Sequence, residues 1–398
     1  MTARRPIPVL FVHYGDEWFR GSEQVLFDLV THLDRERIEP IVWCNGKDLA
    51  DATTGAGLRT YRTAFAYYLD YDSPRFSLSR YRALVREGVA LIRRHDVQVI
   101  HANSAAPNQW MIPAGRIARR PVLAHLHIDY RRRGRYVCLL HQASMIVGVS
   151  RHVTQDFLRD GTPPGRIHTI YNGIDFARLG NAPRHDLRAH LGIAPNSVLL
   201  ATAGSLVRRK GHDLLLRALA ALMPGREIKL VIAGDGPERA ALAALTDELG
   251  LRDRVSFLGH QGNVANIYRA ADIMVMPSRA DAFGLVLAEA GYFSLPAVGT
   301  SVGGIPEVIA DGETGVIVPP DDVPALTEAI RRLSDDPDYR RRLGQAAHER
   351  VRRLFTVEQM VAAFHAAYDC LADLPHERLG WFGQDLSLTP YRRLAFSD

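Results

Sequence analysis

Short apolar runs alternate along this chain with longer stretches in which apolar residues recur at helical spacing. Val9 to Val12 form the first run, and after a loop the segment GSEQVLFDLVTHL sets Val25, Leu26, Leu29, Val30 and Leu33 on one helical face. Further runs at Pro40 to Trp43, Val97 to His101, Val122 to His127 and Met145 to Val149 read as buried strands, with helical or loop material between most of them. Alternation of this kind predicts parallel strands joined by crossover helices.

A second series follows. Runs at Val198 to Ala203, Ile228 to Ala233, Val255 to Leu258, Ile273 to Met276, Pro296 to Gly299 and Gly315 to Val318 are separated by helix-like stretches such as Asp213 to Ala221 and Pro237 to Leu249. Two doubly wound sheets in series explain this better than one long sheet. The 398 residues also exceed what one hydrophobic core usually organises. Polar, Gly and Pro residues between Asn172 and Asn196 mark the join. The expected division is an N-terminal domain over 1–180, a C-terminal domain over 181–370, and a tail over 371–398 that could pack back on the first domain.

Hydrophobic residues at 47% and charged residues at 23% are ordinary for a globular chain. Cys44, Cys138 and Cys370 lie far apart and without metal-ligand spacing, which predicts structural thiols in a reducing, cytoplasmic setting and no structural zinc. The opening MTARRPIPVLFVHYGDEW turns polar soon after its apolar run and reads as a buried first strand, not a signal peptide. No apolar stretch approaches the ~20 residues of a bilayer-spanning helix, which leaves peripheral contact at the inner face as the membrane role to consider.

The net charge of +5 favours anionic partners. Arg131, Arg132, Arg133 and Arg135 crowd one segment, read either as a solvated basic loop or as a surface for anionic lipid or a charged acceptor. No aromatic or zinc module accompanies them, which argues against nucleic acid.

The densest chemical signal is PSRADAFGLVLAEA. Met276 and Pro277 end a strand, Phe283 and Gly284 make a tight turn, and the residues from Leu285 can start a helix whose N–H groups suit a phosphate. Asp281 would sit in the turn, with Glu289 about one helical turn beyond Leu285 on the same face, so two carboxylates could flank a polyhydroxylated ligand. A solvated acid in a first helical turn, favoured by the helix dipole, is the plainer reading of such a pair.

AGSLVRRKGHDLL is the second signal. Arg208, Arg209 and Lys210 on a short loop before a helix at Asp213 can neutralise a diphosphate and its leaving-group charge without a metal ion, the plainer reading being a basic loop that keeps the surface soluble. Gly234, Asp235 and Gly236 form a turn that would let a base or ribose approach the backbone, although the segment lacks the third Gly of the dinucleotide fingerprint.

These motifs together resemble the retaining glycosyltransferases of family 4. The resemblance runs through GSE (Gly21, Ser22, Glu23), YNGID (Tyr171 to Asp175), GSLVRRKG (Gly204 to Gly211), AGDGP (Ala233 to Pro237), FLGH (Phe257 to His260), DAFGLVLAE, GGIPEVI (Gly303 to Ile309) and DGETG (Asp311 to Gly315). It implies the α/β GT-B fold, two facing Rossmann-like doubly wound domains with an interdomain cleft. It also implies transfer of a hexose-type sugar from a nucleotide diphosphate sugar to a glycan or lipid-linked acceptor, in cell-surface polysaccharide or glycoconjugate synthesis. The nucleotide sugar is a substrate, and no cofactor or metal is implied.

By position, the resemblance gives Gly21 as the glycine whose backbone faces the donor phosphates, and Arg209 with Lys210 as the cations on the diphosphate. Phe283, Gly284 and Leu285 look like the backbone segment at the phosphates and donor sugar, Glu289 like the ribose-binding acid, and Asp281 like the acid near the reacting carbon. Ser205, Gly234 and His260 fall in the donor-binding motifs. His127 resembles the histidine lining the reaction centre, with a core histidine as the plainer reading; His125 competes for the place, since strand alternation sets both on one face.

Three positions depart from the family pattern. Asp281 stands where Glu is commoner, Arg20 replaces the first glycine of the usual Gly-Gly pair, and Ser205 replaces an arginine, which throws diphosphate binding onto Arg208, Arg209 and Lys210. Two rival classes stay open: a nucleotide-sugar epimerase of the same architecture, which would need acids placed to abstract a sugar proton, and a noncatalytic nucleotide-sugar-binding scaffold.

Overall fold

The computed structural model describes residues 5–15, 19, 21–65, 77–222 and 227–375. The chain forms two compact units, Met1–Gly173 with Val357–Asp398, and Ile174–Thr356.

In the first unit the strands are β1 (Ile7–His13), β2 (Ile38–Cys44), β3 (Arg59–Arg62), β4 (Val99–Asn103), β5 (Val122–Leu126), β6 (Met145–Gly148) and β7 (Ile167–Thr169). They form a parallel sheet in the order β3-β2-β1-β4-β5-β6-β7. Every residue of β1, β4, β5 and β6 is buried, as strands covered on both faces require. The order reverses at β1, where β4 pairs with it and sets His13 beside Asn103; Asn103 in turn sits beside His125 of β5. The edge strands β3 (RTYR) and β7 (IHT) escape a search for apolar runs because neither has a fully buried residue.

The second unit holds β8 (Val198–Ala203), β9 (Ile228–Ala233), β10 (Val255–Gly259), β11 (Ile273–Met276), β12 (Ala297–Thr300) and β13 (Gly315–Val318), parallel throughout in the order β10-β9-β8-β11-β12-β13. The reversal lies between β8 and β11, so the loops leaving those two strands flank the place where open sheets of this kind bind ligands. Both dense sequence motifs occupy these loops. Beneath them the helix His212–Leu222 buries Leu215, Leu219 and Leu222 in one cluster with Leu230, Ile232, Val275 and Ile330. Truncating one such leucine to alanine costs roughly 2–5 kcal/mol, which gives the loops a firm base.

Packing divides the chain elsewhere than at 180/181 and 370/371. Residues 174–180 belong to the second unit: Phe176 stacks on Tyr292 with ring centroids 4.5 Å apart, and Arg269 donates to the carbonyls of Leu179 and Gly180 at 3.1 and 2.9 Å. The chain returns to the first unit at Val357, and the helix Val357–Ala372 joins that core. There the Tyr368 hydroxyl meets His101 Nδ1 at 2.7 Å, and Arg37 pairs with Asp369 at 2.6 Å. The return thus begins earlier than the expected tail, whose residues 376–398 lie outside the described residues, as does Arg20.

Candidate active site

The loop after β8 leaves through Gly204 and closes in a short turn, Arg208–Lys210, ended by Gly211. Gly211 has φ +68, and a Cβ there would come within 2.0 Å of the Pro277 carbonyl oxygen, so the close approach of this loop to the end of β11 needs glycine. Arg279 fastens the two loops. Its backbone N–H donates to the Arg209 carbonyl at 2.7 Å, and its guanidinium reaches the Arg208 carbonyl at 2.9 Å. The same guanidinium grips Asp213 with two bonds of 2.8 Å and Asp321 with one of 2.6 Å. These carboxylates raise the Arg279 pKa further above its ordinary value, and a planar fork suits this job as a lysine would not.

Asp281 faces that clamp. Its Oδ1 accepts the backbone N–H groups of Phe283 at 3.2 Å and Gly284 at 2.9 Å, and its Oδ2 lies 2.5 Å from Lys210 Nζ and 3.8 Å from Arg209 Nη1. Burial pushes its pKa up, but Lys210, the Phe283 N–H and Arg209 together outweigh burial and hold it below the usual carboxylate range. The shorter side chain explains the arrangement: aspartate can bond N–H groups two and three residues ahead, an Asx turn that a glutamate's extra methylene would spoil. Gly303, at φ +57, packs so closely on the Asp281 carbonyl that a Cβ would come within 1.6 Å of it, and Gly304 N–H donates to that carbonyl at 3.1 Å.

Gly284, at φ +93, precedes the helix Leu285–Tyr292. The Phe283 ring turns into the core against Phe355, with centroids 5.4 Å apart, so only its backbone faces the turn. Leu285 is half-buried, and Glu289, one turn on, is buried with its Oε2 accepting the Tyr268 hydroxyl at 2.8 Å. Burial, reinforced by the Glu289 charge, raises the Tyr268 pKa well above its ordinary value and keeps it a donor. Ser205 and Gly234 are half-buried at the ends of β8 and β9, and His260 is exposed just beyond β10. Gly234 must be glycine, since at φ +136 a Cβ would come within 1.9 Å of the Gly204 carbonyl oxygen.

In the first unit, Gly21 is exposed as the first residue of the helix Gly21–His32. His125 is fully buried, with Nδ1 3.2 Å from His101 Nε2. His127 follows β5, is half-buried, and sets its ring, tilted, 4.3 Å from that of His125, on the face the alternation predicted. Its Nε2 lies 2.8 Å from Asn103 Oδ1. Burial, and then a histidine neighbour in each case, hold His101, His125 and His127 well below the usual imidazole pKa and therefore neutral. Of the two rivals, only His127 has an outlet to solvent.

Two family models match, Glycosyltransferase Family 4 over residues 19–178 and Glycosyl transferases group 1 over residues 183–350. The chain belongs to glycosyltransferase family 4. Among relatives of this family-4 chain, the N-acetyl-alpha-D-glucosaminyl L-malate synthase of Bacillus anthracis is 32% identical over 235 residues, covering 59% of this chain and 62% of that protein. The D-inositol 3-phosphate glycosyltransferase of Saccharomonospora viridis is 34% identical over 231 residues, 55% of this chain and 52% of that one. The match therefore spans about half to three-fifths of the length of these curated relatives. The fold is GT-B, two Rossmann-like domains. It is shared with Anabaena HepE, solved with UDP and glucose, at a TM-score of 0.79 and 23% identity over 92% of this chain and 100% of that one. A Rickettsia africae glycosyltransferase aligns at a TM-score of 0.81 and 18% identity over 94% of this chain and 100% of that one.

Within the family-4 frame the second unit brings Arg209, Lys210 and Asp281 together, with Gly284, Leu285 and Glu289 on the adjoining turn and helix. The arginine cluster is smaller than its sequence suggests. Arg131, Arg132 and Arg133 are exposed, but Arg135 is buried, ion-paired to Asp160 at 2.7 Å and Asp156 at 3.0 Å and bonded to the Tyr130 carbonyl at 2.5 Å. One helical turn points it inward, where it ties two segments instead of facing an anion. Sequence reading missed Arg279, Tyr268, Asn103 and His13. Only Arg279 carried a signal, as a cation two residues before Asp281. Among the described residues no group of three or more His, Cys, Asp or Glu side chains is placed to hold a metal ion, and no helix is long and apolar enough to cross a membrane.

Proposed function

We propose that this chain is a retaining glycosyltransferase that moves a hexose-type sugar from a nucleoside diphosphate sugar onto an anionic glycan or lipid-linked acceptor, without a bound metal. The observation that carries the reading is the meeting of Arg209 and Lys210 with Asp281 at the carboxyl edge of the second sheet. Two cations on a loop anchored by Arg279 suit the charge of a departing diphosphate. The helix start at Gly284 and Leu285 suits its phosphates, and Glu289, held by Tyr268, suits the ribose hydroxyls. Asp281 then has two tasks, holding the turn through Oδ1 and meeting Lys210 or the sugar through Oδ2.

In the proposed step the bond from the anomeric carbon to the diphosphate oxygen breaks, and its electron pair leaves with the diphosphate. The acceptor oxygen bonds the same carbon from the same face, and its proton passes to a phosphate oxygen of the leaving group. Configuration is retained without a covalent enzyme intermediate, unlike the two-carboxylate route of retaining glycosidases. The protein supplies charge stabilisation and placement. The two relatives are named for L-malate and D-inositol 3-phosphate, both anions, and the exposed Arg131, Arg132 and Arg133 agree with an anionic acceptor.

The test is to incubate the protein with a panel of labelled nucleotide sugars and anionic acceptors, and to read the anomeric configuration of any product by NMR. A product with the donor's configuration and one equivalent of nucleoside diphosphate is expected. Inversion would refute the mechanism, epimerisation of the donor without transfer would favour the epimerase, and neither transfer, epimerisation nor donor hydrolysis with any member would favour the scaffold.

A further inference from the structure

Where β1, β4 and β5 end side by side, their last residues and the start of the helix Gly21–His32 form one hydrogen-bonded chain. Ser22 Oγ donates to Glu23 Oε2 at 2.9 Å, and Glu23 Oε1 lies 2.9 Å from His13 Nε2. Asn103 Nδ2 is 2.8 Å from His13 Nδ1, and Asn103 Oδ1 is 2.8 Å from His127 Nε2. His13, Glu23 and Asn103 are all buried. Gly15 packs over the His13–Glu23 pair so tightly that a Cβ there would come within 2.3 Å of Glu23 Oε1 and 2.5 Å of His13 Nε2. Reciprocal bonds with the Asn45 side chain, 3.0 and 2.7 Å long, hold Gly15 in place.

The proton on each atom follows from the carboxylate inward. Glu23 only accepts, because His13 and Ser22 outweigh burial and keep it ionised. His13 therefore carries hydrogen on Nε2, and in its neutral form the lone pair on Nδ1 takes a hydrogen from Asn103 Nδ2. That orients the amide with Oδ1 toward His127, and an amide oxygen only accepts, so His127 must carry its proton on Nε2. Its Nδ1 keeps a lone pair that meets no hydrogen-bond partner among the described residues.

We propose that Glu23, His13 and Asn103 are positioning residues that hold His127 as the neutral Nε2–H tautomer, leaving Nδ1 to accept a hydrogen bond from a substrate hydroxyl. This rests on His127 lining the reaction centre, as the family resemblance implies. The competing arrangement is also visible: His13 Nδ1 lies 3.2 Å from the Asn103 carbonyl, the contact a charged His13 would use. A charged His13 would turn the Asn103 amide over, present Nδ2 to His127, and move the His127 proton to Nδ1.

Ring nitrogen NMR of the full-length protein labelled at histidine distinguishes the two, with His127 assigned from the His127→Gln spectrum. The expected result is a single His127 tautomer with hydrogen on Nε2. Asn103→Leu should give a mixture, and Asn103→Asp, which still accepts from Nε2–H, should restore the single form. Hydrogen on Nδ1 of His127 in the unaltered protein, or the same tautomer in Asn103→Leu, would overturn the proposal; the first needs no variant to fold. Transfer kinetics test the underlying reading separately. Asn103→Leu should lower kcat/KM about tenfold, the worth of one hydrogen bond, with Asn103→Asp recovering part of it. A changed tautomer with unchanged kcat/KM would keep the relay and remove His127 from the reaction centre.

Discussion

Lys210 Nζ stands 2.5 Å from Asp281 Oδ2, bridging the loops that leave β8 and β11 on the two sides of the order reversal in the second sheet. The pair is largely buried, at 14% and 11% side-chain exposure, so solvent screens it little. Replacing Asp281 with alanine leaves a buried cation unpartnered and two backbone N–H groups unbonded, which should cost roughly 2–4 kcal/mol. Asp281→Glu should cost about 1 kcal/mol through loss of the Asx turn, with the ion pair kept. Urea unfolding of both variants checks the order. Equal stability of Asp281→Glu and the parent would refute the turn-holding role.

Arg279 is predicted to act on the donor site without touching the donor. Arg279→Lys keeps the charge but cannot span Asp213, Asp321 and the Arg208 carbonyl together. Diphosphate affinity measured by calorimetry should fall about tenfold, one hydrogen bond's worth. Unchanged affinity would show that the loop holding Arg209 and Lys210 needs no clamp.

His212, at the head of the helix His212–Leu222, should make the second unit acid-sensitive. Its ring is buried, and neither nitrogen is hydrogen-bonded among the described residues. Burial, then the nearby Lys210 charge, against a smaller opposing effect of Asp213, push its pKa down to about 4. The unfolded chain binds the proton first, so stability is complete above the ordinary value of 6.5 and falls as pH drops toward about 4. At pH 5 the loss should be about 2 kcal/mol. Thermal unfolding from pH 7 to pH 5 should show a smaller drop for His212→Gln than for the parent; equal drops would remove His212 as the cause.

The split of the arginine cluster predicts two phenotypes. Arg135→Ala breaks a buried pair with Asp160 and should cost roughly 3–5 kcal/mol. Serine at Arg131 and Arg133 together should leave the unfolding midpoint unchanged but weaken co-sedimentation with anionic vesicles or raise KM for an anionic acceptor. If neither changes, these arginines are a solvated surface.

Much of the fold was legible in the sequence, because strands buried on both faces are continuous apolar runs: β8, β9 and β11 begin and end where their runs do. The edge strands β3 and β7 were not, since a half-exposed strand need not be apolar. The point at which the chain returns to the first unit, Val357 and not residue 371, was hidden for another reason. The apolar face of the helix Val357–Ala372 fits either core, and only the partners of Tyr368 and Asp369 decide between them. In the site, Lys210 and Asp281 announced themselves by charge beside glycine. Asn103 and Tyr268 did not, because a neutral residue that acts through a neighbour has no signature until the neighbour is placed.

The most direct test of the central claim is calorimetric titration of the protein with the common nucleoside diphosphates, beside Glu289→Ala and the double variant Arg209→Ala with Lys210→Ala. Binding of one diphosphate that is lost in the double variant and weakened in Glu289→Ala is the predicted result. No binding by any member, or binding that survives the double variant, would contradict the assignment of the second unit as a nucleotide-sugar site.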